Sequence, residues 1–145
     1  MMHPIIFEFC RFYRDLDQNP LSMLKDIYSA DMKFCDPVHR IQGIQPFTQY
    51  FEELMQQVKS CSFDIKQINE TECTAFVRWD MHLQHPRLKG GDLIIVEGVS
   101  YLEFDGKITS HQDYFDLGAM LYEHLPIMGR VIKYIKTSLT SDQAK

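Results

Sequence analysis

The sequence predicts an α+β domain in which helices pack on one face of a curved antiparallel sheet. Two observations indicate this class: apolar residues recur at helical spacing in the first third of the 145-residue chain, and the apolar period then changes to two. A third is the dipeptide Asp105-Gly106, a strong hairpin turn between two strand-like runs. Helices followed by an antiparallel meander are typical of an α+β architecture.

Three helices are expected before the sheet. The first ends at the turn residues 17–20, the second spans Leu21–Ala30, and the third begins after Gly43 and continues to Val58. The apolar positions of the first helix lie at spacings of three and four residues and are Ile5, Phe9, Phe12, Tyr13 and Leu16.

Four strands follow these helices. Alternation of apolar and polar residues predicts strands at Ser62–Asn69, Thr71–Leu83, Leu93–Phe104 and Lys107–Phe115. On the last strand, alternate positions share a face, and these are Thr109, His111, Asp113 and Phe115.

Two further helices are expected after the last strand, at residues 116–126 and 127–139. The second is amphipathic with a basic face, which would suit a membrane surface, a partner subunit or the mouth of a pocket. We expect residues 1–140 to form a single domain and residues 141–145 to be a disordered tail.

Charge and composition exclude several function classes. The net charge of −5 argues against nucleic-acid binding, and no apolar run approaches the roughly 20 residues needed to cross a membrane. The N-terminal segment lacks the features of a signal peptide, so we expect a cytoplasmic protein. The four cysteines and six histidines show no metal-ligand spacing. We therefore predict no metal and no cofactor.

The segment 28–43 places one carboxylate, Asp36, in an apolar run and follows it with Pro37. The proline restricts both residues and stops a helix. Burial disfavours the charged carboxylate and makes it a better proton acceptor near neutral pH. His39, two residues after the proline, is its natural neighbour. The alternative is an ordinary Asp-Pro turn in which both side chains are exposed.

His111 and Asp113 form a second candidate acid–base pair. Side chains at i and i+2 of a strand point to the same face, roughly 7 Å apart. If that face points inward, Asp113 could orient His111 as an acid or base. A solvated or dimer-facing pair is the alternative.

Three more residues are candidates for the wall of a pocket. Trp79 and Met81 share a strand face and would form an adaptable apolar wall, although packing in the core also explains them. Glu97 is a lone carboxylate in an apolar strand, where it would need a partner such as Arg78 or His82.

Several local strings resemble the nuclear transport factor 2-like superfamily, the cone-shaped fold of ketosteroid isomerases and SnoaL-like polyketide cyclases. They are the helical stretch 13–37, the helix of GIQPFTQYFEELM, the hairpin EFDGKI and the strand end HQDYFD. The resemblance implies that Asp36 takes the place of the isomerase base and Tyr13 that of its carbonyl-polarising tyrosine. The isomerase's second oxyanion donor falls near Ser100, and the cyclase carboxylate of the last strand falls on Asp113.

These observations support two hypotheses. One is a cofactor-independent enzyme that acts on a small hydrophobic carbonyl or polycyclic compound through Asp36, His39, His111 and Asp113, with Tyr13 in the pocket. The other is a non-catalytic module that binds a small ligand or a protein. In either case the apolar content of the long strands predicts a homodimer through the outer face of the sheet. Convergence of Asp36 and Asp113 on one cavity would favour catalysis.

Overall fold

The computed structural model describes residues 2–118 and 128–144. A 3-10 turn at Leu21–Met23 precedes the second helix. In chain order the elements are α1 (Pro4–Arg14), α2 (Leu24–Ile27), β1 (Tyr28–Cys35), β2 (Arg40–Gln42), α3 (Ile44–Gln57), β3 (Ser60–Glu70), β4 (Thr74–Gln84), β5 (Ile94–Asp105), β6 (Lys107–Phe115) and α4 (Met128–Ala144).

The six strands form one sheet in the order β2-β1-β6-β5-β4-β3. The α+β class and the cone-like fold are confirmed, and the Asp105-Gly106 hairpin joins β5 to β6 as predicted. The sheet is mixed, however, because β1 pairs in parallel with β6. Our expectation of a wholly antiparallel sheet was wrong in this respect, since local periodicity does not reveal which distant strand becomes a neighbour.

The predicted helix over Leu21–Ala30 was also wrong at its last three residues. Helix α2 ends at Ile27, and Tyr28 already begins β1. Tyr28, Met32 and Phe34 are buried while their neighbours between them are more exposed, because β1 lies between β2 and β6 with one face on the core. Pairing with β6 therefore outweighs the helical spacing that Tyr28 shares with the residues before it.

The core lies between the helices and the inner face of the sheet. Helix α1 buries one apolar stripe, as its spacing predicts, while α3 buries Phe47 and Phe51. On β5, alternate residues from Ile94 to Phe104 are buried. Each large apolar side chain that is fully buried contributes roughly 1.5–3 kcal/mol to folding. Of these inward residues, Tyr13 of α1 and Phe51 of α3 also line the cavity described below.

A bulge changes which residues of β6 face the core. Ile108 pairs with Phe104 and Ser110 with Glu103, so Thr109 is an extra residue on its strand. Thr109 is exposed and its hydroxyl donates to the Glu103 carbonyl. Our expectation that Thr109 shares the inner face with His111 was therefore wrong.

The C-terminal helix α4 corresponds to the second of the two helices expected after the sheet. It continues to Ala144 and so includes residues 141–144, where we expected a disordered tail. The first of those helices, at residues 116–126, falls mainly outside the described residues. Lys136 of α4 lies 3.0 Å from the Asp116 carboxylate. No helix within the described parts of the chain is long and apolar enough to cross a membrane.

Candidate active site

A cavity of about 510 Å³ lies between the helices and the inner face of the sheet. Its wall is mainly apolar, as ligand-binding cavities usually are. The aromatic side chains in that wall come from α1, α3 and the strands β1, β3, β4 and β6, and include Tyr13, Phe34, Tyr50, Phe51, Phe63, Trp79 and Phe115.

The two predicted carboxylates converge on this cavity. Asp36 enters from the end of β1 and Asp113 from the end of β6. The other predicted residues that line the cavity are Tyr13, His39, Trp79 and Met81.

Two predicted residues lie elsewhere. His111 is 2% exposed and lies behind the cavity wall. Glu97 occupies an outward-facing position of β5 between the buried Val96 and Gly98. It is exposed to solvent, so it neither lines the cavity nor needs the buried partner that we expected.

Asp113 is held through one of its two carboxylate oxygens. Its Oδ1 accepts a hydrogen bond from the Ser100 hydroxyl at 2.5 Å and lies 2.6 Å from His111 Nε2. No described residue donates to Oδ2. The side chain is 15% exposed and lines the cavity. One oxygen is therefore fixed, while the other is open to a ligand.

The Ser100 hydroxyl is itself oriented by Trp79. The indole Nε1 of Trp79 lies 2.9 Å from Ser100 Oγ, and an indole N–H can only donate. Ser100 therefore accepts from Trp79 and directs its own proton to Asp113. This arrangement requires Gly98, which is opposite Trp79 on the neighbouring strand. A Cβ at position 98 would lie 2.6 Å from Cζ3 of the indole ring.

Two tyrosines support His111 from the other side. The Tyr28 hydroxyl lies 2.8 Å from His111 Nδ1, and the Tyr13 hydroxyl lies 2.7 Å from that of Tyr28. With a proton on Nε2, a neutral His111 donates to Asp113 and accepts from Tyr28, which in turn accepts from Tyr13. Each group in this buried network then donates its proton to the next group, from Tyr13 to Tyr28 to His111 and finally to Asp113.

Burial keeps the phenols around this network protonated. It raises the pKa of Tyr13 and of Tyr28 well above the ordinary tyrosine value. Burial also raises the pKa of Tyr50, and the nearby carboxylates of Asp36 and Asp113 raise it further. The Tyr50 hydroxyl has no hydrogen-bond partner among the described residues, which leaves it available as a donor in the cavity wall.

Asp36 differs from Asp113, because most of the hydrogen bonds that its carboxylate accepts come from residues of its own loop. Oδ1 accepts from the backbone N–H groups of Val38 and His39, at 2.8 and 2.6 Å, and lies 3.1 Å from His39 Nδ1. The side chain is only 6% exposed. The segment is thus an Asp-Pro turn, as in our alternative interpretation, but its carboxylate is buried against the cavity rather than exposed.

Sequence reasoning missed the roles of Tyr28, Tyr50 and Ser100. Tyr28 was assigned to a helix, and Tyr50 was counted only among the apolar positions of α3. Ser100 offered a usable signal, because it is a hydroxyl at an inward position of an otherwise apolar strand. Such a residue needs a buried partner.

Among the described residues, no group of three His, Cys, Asp or Glu side chains is placed to hold a metal ion. The chemical groups at the cavity are carboxylates, imidazoles, phenols and an indole. They can accept and donate protons and bind apolar surfaces.

Comparison with known proteins now identifies the family. The model of the SnoaL-like domain matches residues 9–111. The chain belongs to the SnoaL-like domain family. The resemblance to the nuclear transport factor 2-like superfamily is therefore confirmed. A search of curated proteins found no match.

Solved structures share the fold of this SnoaL-like protein at low sequence identity. A ketosteroid isomerase-like protein from Catenulispora acidiphila, in complex with trimethylamine, has 14% identity and a TM-score of 0.72 over 83% of this chain and 92% of its own. A SnoaL-like polyketide cyclase from Shewanella putrefaciens has 18% identity and a TM-score of 0.69 over 83% and 95%. TerC, co-crystallised with polyporic acid, has 15% identity and a TM-score of 0.71 over 81% and 95%.

Proposed function

We propose that this SnoaL-like protein is a cofactor-independent isomerase, cyclase or hydratase that acts on a small hydrophobic carbonyl or polycyclic compound. The observation that carries the proposal is the Asp113 carboxylate, which lines the cavity and whose Oδ1 is fixed by Ser100 and His111 while its Oδ2 has no donor among the described residues. An oriented carboxylate in a largely apolar cavity is well suited to act as a general base.

The chemistry is a proton transfer at carbon. Asp113 Oδ2 takes a proton from a carbon next to the substrate carbonyl, and the electron pair of the broken C–H bond moves into the carbonyl group. The carbonyl oxygen becomes an oxyanion, which needs a hydrogen-bond donor. In an isomerase the same proton then returns from Asp113 to a different carbon, and the oxyanion becomes a carbonyl again. In a cyclase the enolate carbon attacks a second carbonyl of the substrate, the π bond of that carbonyl breaks, and the alkoxide formed takes the proton back from Asp113.

The Tyr50 hydroxyl is the best-placed oxyanion donor. Its phenol is protonated, because burial and the nearby carboxylates of Asp36 and Asp113 raise its pKa. The hydroxyl lines the cavity and has no hydrogen-bond partner among the described residues. Tyr13, which the family resemblance suggested for this role, directs its proton to Tyr28 when His111 is neutral. Tyr13 then acts as a positioning residue at the end of the hydrogen-bond network.

Asp36 and His39 form a second acid–base pair in the proposed reaction. His39 Nδ1 faces Asp36, so Nε2 is the ring nitrogen that can exchange a proton with the substrate. The pair lines the same cavity as Asp113. It is suited to donate to, or accept from, a second polar group of the substrate while Asp113 carries the transferred proton.

A ligand-binding module without catalysis is the second candidate function. It is favoured by the loop role of Asp36, whose Oδ1 is already occupied by three donors. The structural neighbours in complex with trimethylamine and polyporic acid show that related folds hold small ligands.

Deuterium exchange separates the two candidates. A panel of hydrophobic ketones is incubated with the protein in D₂O, and loss of the protons next to the carbonyl is followed by proton NMR. We expect exchange above the buffer rate for at least one ketone, reduced about 10²–10⁴-fold in Asp113→Asn and unchanged in Glu97→Gln, whose side chain lies on the outer face. Exchange at the buffer rate for every ketone, or an equal rate in Asp113→Asn, would reject the catalytic proposal.

A further inference from the structure

The carboxylates of the cavity lack a permanent positive partner. The side chains of Asp36 and Asp113 are 6% and 15% exposed. Their hydrogen-bond partners are backbone N–H groups, a serine hydroxyl and imidazoles. Among residues 2–118 and 128–144, no lysine or arginine forms an ion pair with either one. A carboxylate withdrawn from water without such a partner attracts a cation strongly.

The rest of the lining does not offset this charge. Glu53 and Arg87, the other permanently charged residues in the wall, have opposite signs and balance one another. The phenols of Tyr13 and Tyr50 are neutral. The Cys61 thiol is neutral as well, because burial raises its pKa to about 12. Apart from its imidazoles, the cavity therefore offers the two buried carboxylates no positive group beyond the arginine that Glu53 offsets.

Aromatic rings surround these charges. Tyr50 is placed near both carboxylates, while Phe63 and Phe115 each contact Trp79, the first edge-to-face and the second tilted. The face of an aromatic ring is electrostatically negative and attracts an organic cation, most strongly where water is excluded. A wall of such rings with buried carboxylates suits an ammonium group bound to an apolar body.

We propose that the cavity selects a hydrophobic organic cation, such as a tertiary amine or a quaternary ammonium compound, over neutral or anionic compounds of the same shape. For a substrate, this specifies a carbonyl compound that also carries a basic amine. The inference rests on the cavity assigned under the proposed function but not on its chemistry, because it concerns the charge of the ligand.

Binding of three small probes tests the inference without reference to catalysis. Phenyltrimethylammonium, its neutral isostere tert-butylbenzene and the anion benzoate are titrated into the full chain at pH 8. Trp79 is the single tryptophan of the chain and lines the cavity, so its fluorescence reports binding at this site.

We expect the cation to bind at least about tenfold more tightly than tert-butylbenzene and benzoate to bind most weakly. Asp113→Asn should reduce the affinity for the cation and leave that for tert-butylbenzene nearly unchanged, whereas Glu97→Gln should alter neither. Equal or tighter binding of tert-butylbenzene or benzoate, or no saturable binding of the cation at millimolar concentration, would overturn the inference.

These outcomes are independent of the exchange experiment. A protein that prefers the cation but exchanges no ketone protons would retain the inference and lose the catalytic proposal. If instead the protein exchanges ketone protons in an Asp113-dependent way but shows no preference for the cation, the catalytic proposal stands and the inference about ligand charge is rejected.

Discussion

The imidazole Nε2 of His111 lies 2.6 Å from Oδ1 of Asp113, two residues further along the same strand. Ser100, directly opposite Asp113 on β5, donates to the same oxygen. Two donors from adjacent strands thus fix one oxygen of the carboxylate, while its other oxygen has no donor among the described residues and the side chain lines the cavity. The geometry of the proposed base thus depends on residues that do not touch a ligand.

Tyr28→Phe should destabilise the protein, because it removes the link between Tyr13 and His111. The Tyr13 hydroxyl and His111 Nδ1 would both lose a partner in a site where Tyr28 is 1% exposed. A buried polar group left without a hydrogen bond costs about 1–3 kcal/mol of unfolding free energy. Urea denaturation measures the change. Tyr101→Phe, on the half-exposed outer face, is the matched control and should change stability by less than about 0.5 kcal/mol.

Gly98→Ala should displace the Trp79 ring. A new Cβ would lie 2.6 Å from indole Cζ3, which is far closer than van der Waals contact allows. We expect a loss of about 1–3 kcal/mol from overpacking, together with a shifted Trp79 emission as the bond to Ser100 is disturbed. The exposed neighbour Glu97→Ala serves as the control. An unchanged emission spectrum and unchanged stability would show that the indole does not depend on this glycine.

Stability should fall as the pH rises above 9. Burial raises the pKa of Cys10 to about 11 and that of Cys61 to about 12, from an ordinary 9.0. The unfolded chain therefore releases these protons first, so the contribution of the two thiols to the unfolding free energy is constant below pH 9 and decreases above it. Urea denaturation from pH 8 to pH 10 measures the slope, which Cys61→Ala should reduce. A constant unfolding free energy over this range would contradict the assigned burial of the two thiols.

Much of the fold followed from local patterns in the sequence. Helices α1 and α3 were predictable because their apolar residues form one stripe, and the β5–β6 hairpin because Asp105-Gly106 suits a tight turn. Strand β1 was not predictable in this way. Its pairing partner β6 lies more than 70 residues away, and only that pairing makes Tyr28 a strand residue.

The candidate site was predictable to a similar extent. The i, i+2 spacing of His111 and Asp113 indicated a shared face, and Pro37 indicated a rigid corner at Asp36. The Ser100–Asp113 bond depends on the register between β5 and β6, which includes a bulge at Thr109 that no local pattern revealed. Glu97 was misplaced because the side chains of its strand alternate, and a single apolar run does not show which face points inward.

We also predict that the protein is a homodimer built through the outer face of the sheet. Phe76, Ile95 and Tyr114 lie on that face and are each more than half exposed. Burying such side chains against a second copy is the commonest way to remove them from water. Sedimentation velocity at micromolar concentration should show a dimer that Ile95→Lys converts to a monomer. Phe7→Lys, which changes an exposed residue of α1, should leave the dimer intact.

A monomeric wild-type protein under those conditions would contradict the dimer prediction. It would leave the cavity assignment untouched, because the residues that line the cavity face the opposite side of the sheet from Ile95.

The central claim is that His111 donates from Nε2 to Asp113 and accepts at Nδ1 from Tyr28, which orients the Asp113 carboxyl group in the cavity wall. Nitrogen-15 NMR of the His111 ring tests this most directly, because the two ring nitrogens give distinct signals for each tautomer and for the imidazolium. At neutral pH we expect a proton on Nε2 and none on Nδ1, which accepts from Tyr28. A proton on Nδ1, whether alone or together with one on Nε2, would reverse the hydrogen bond to Tyr28 and contradict the account.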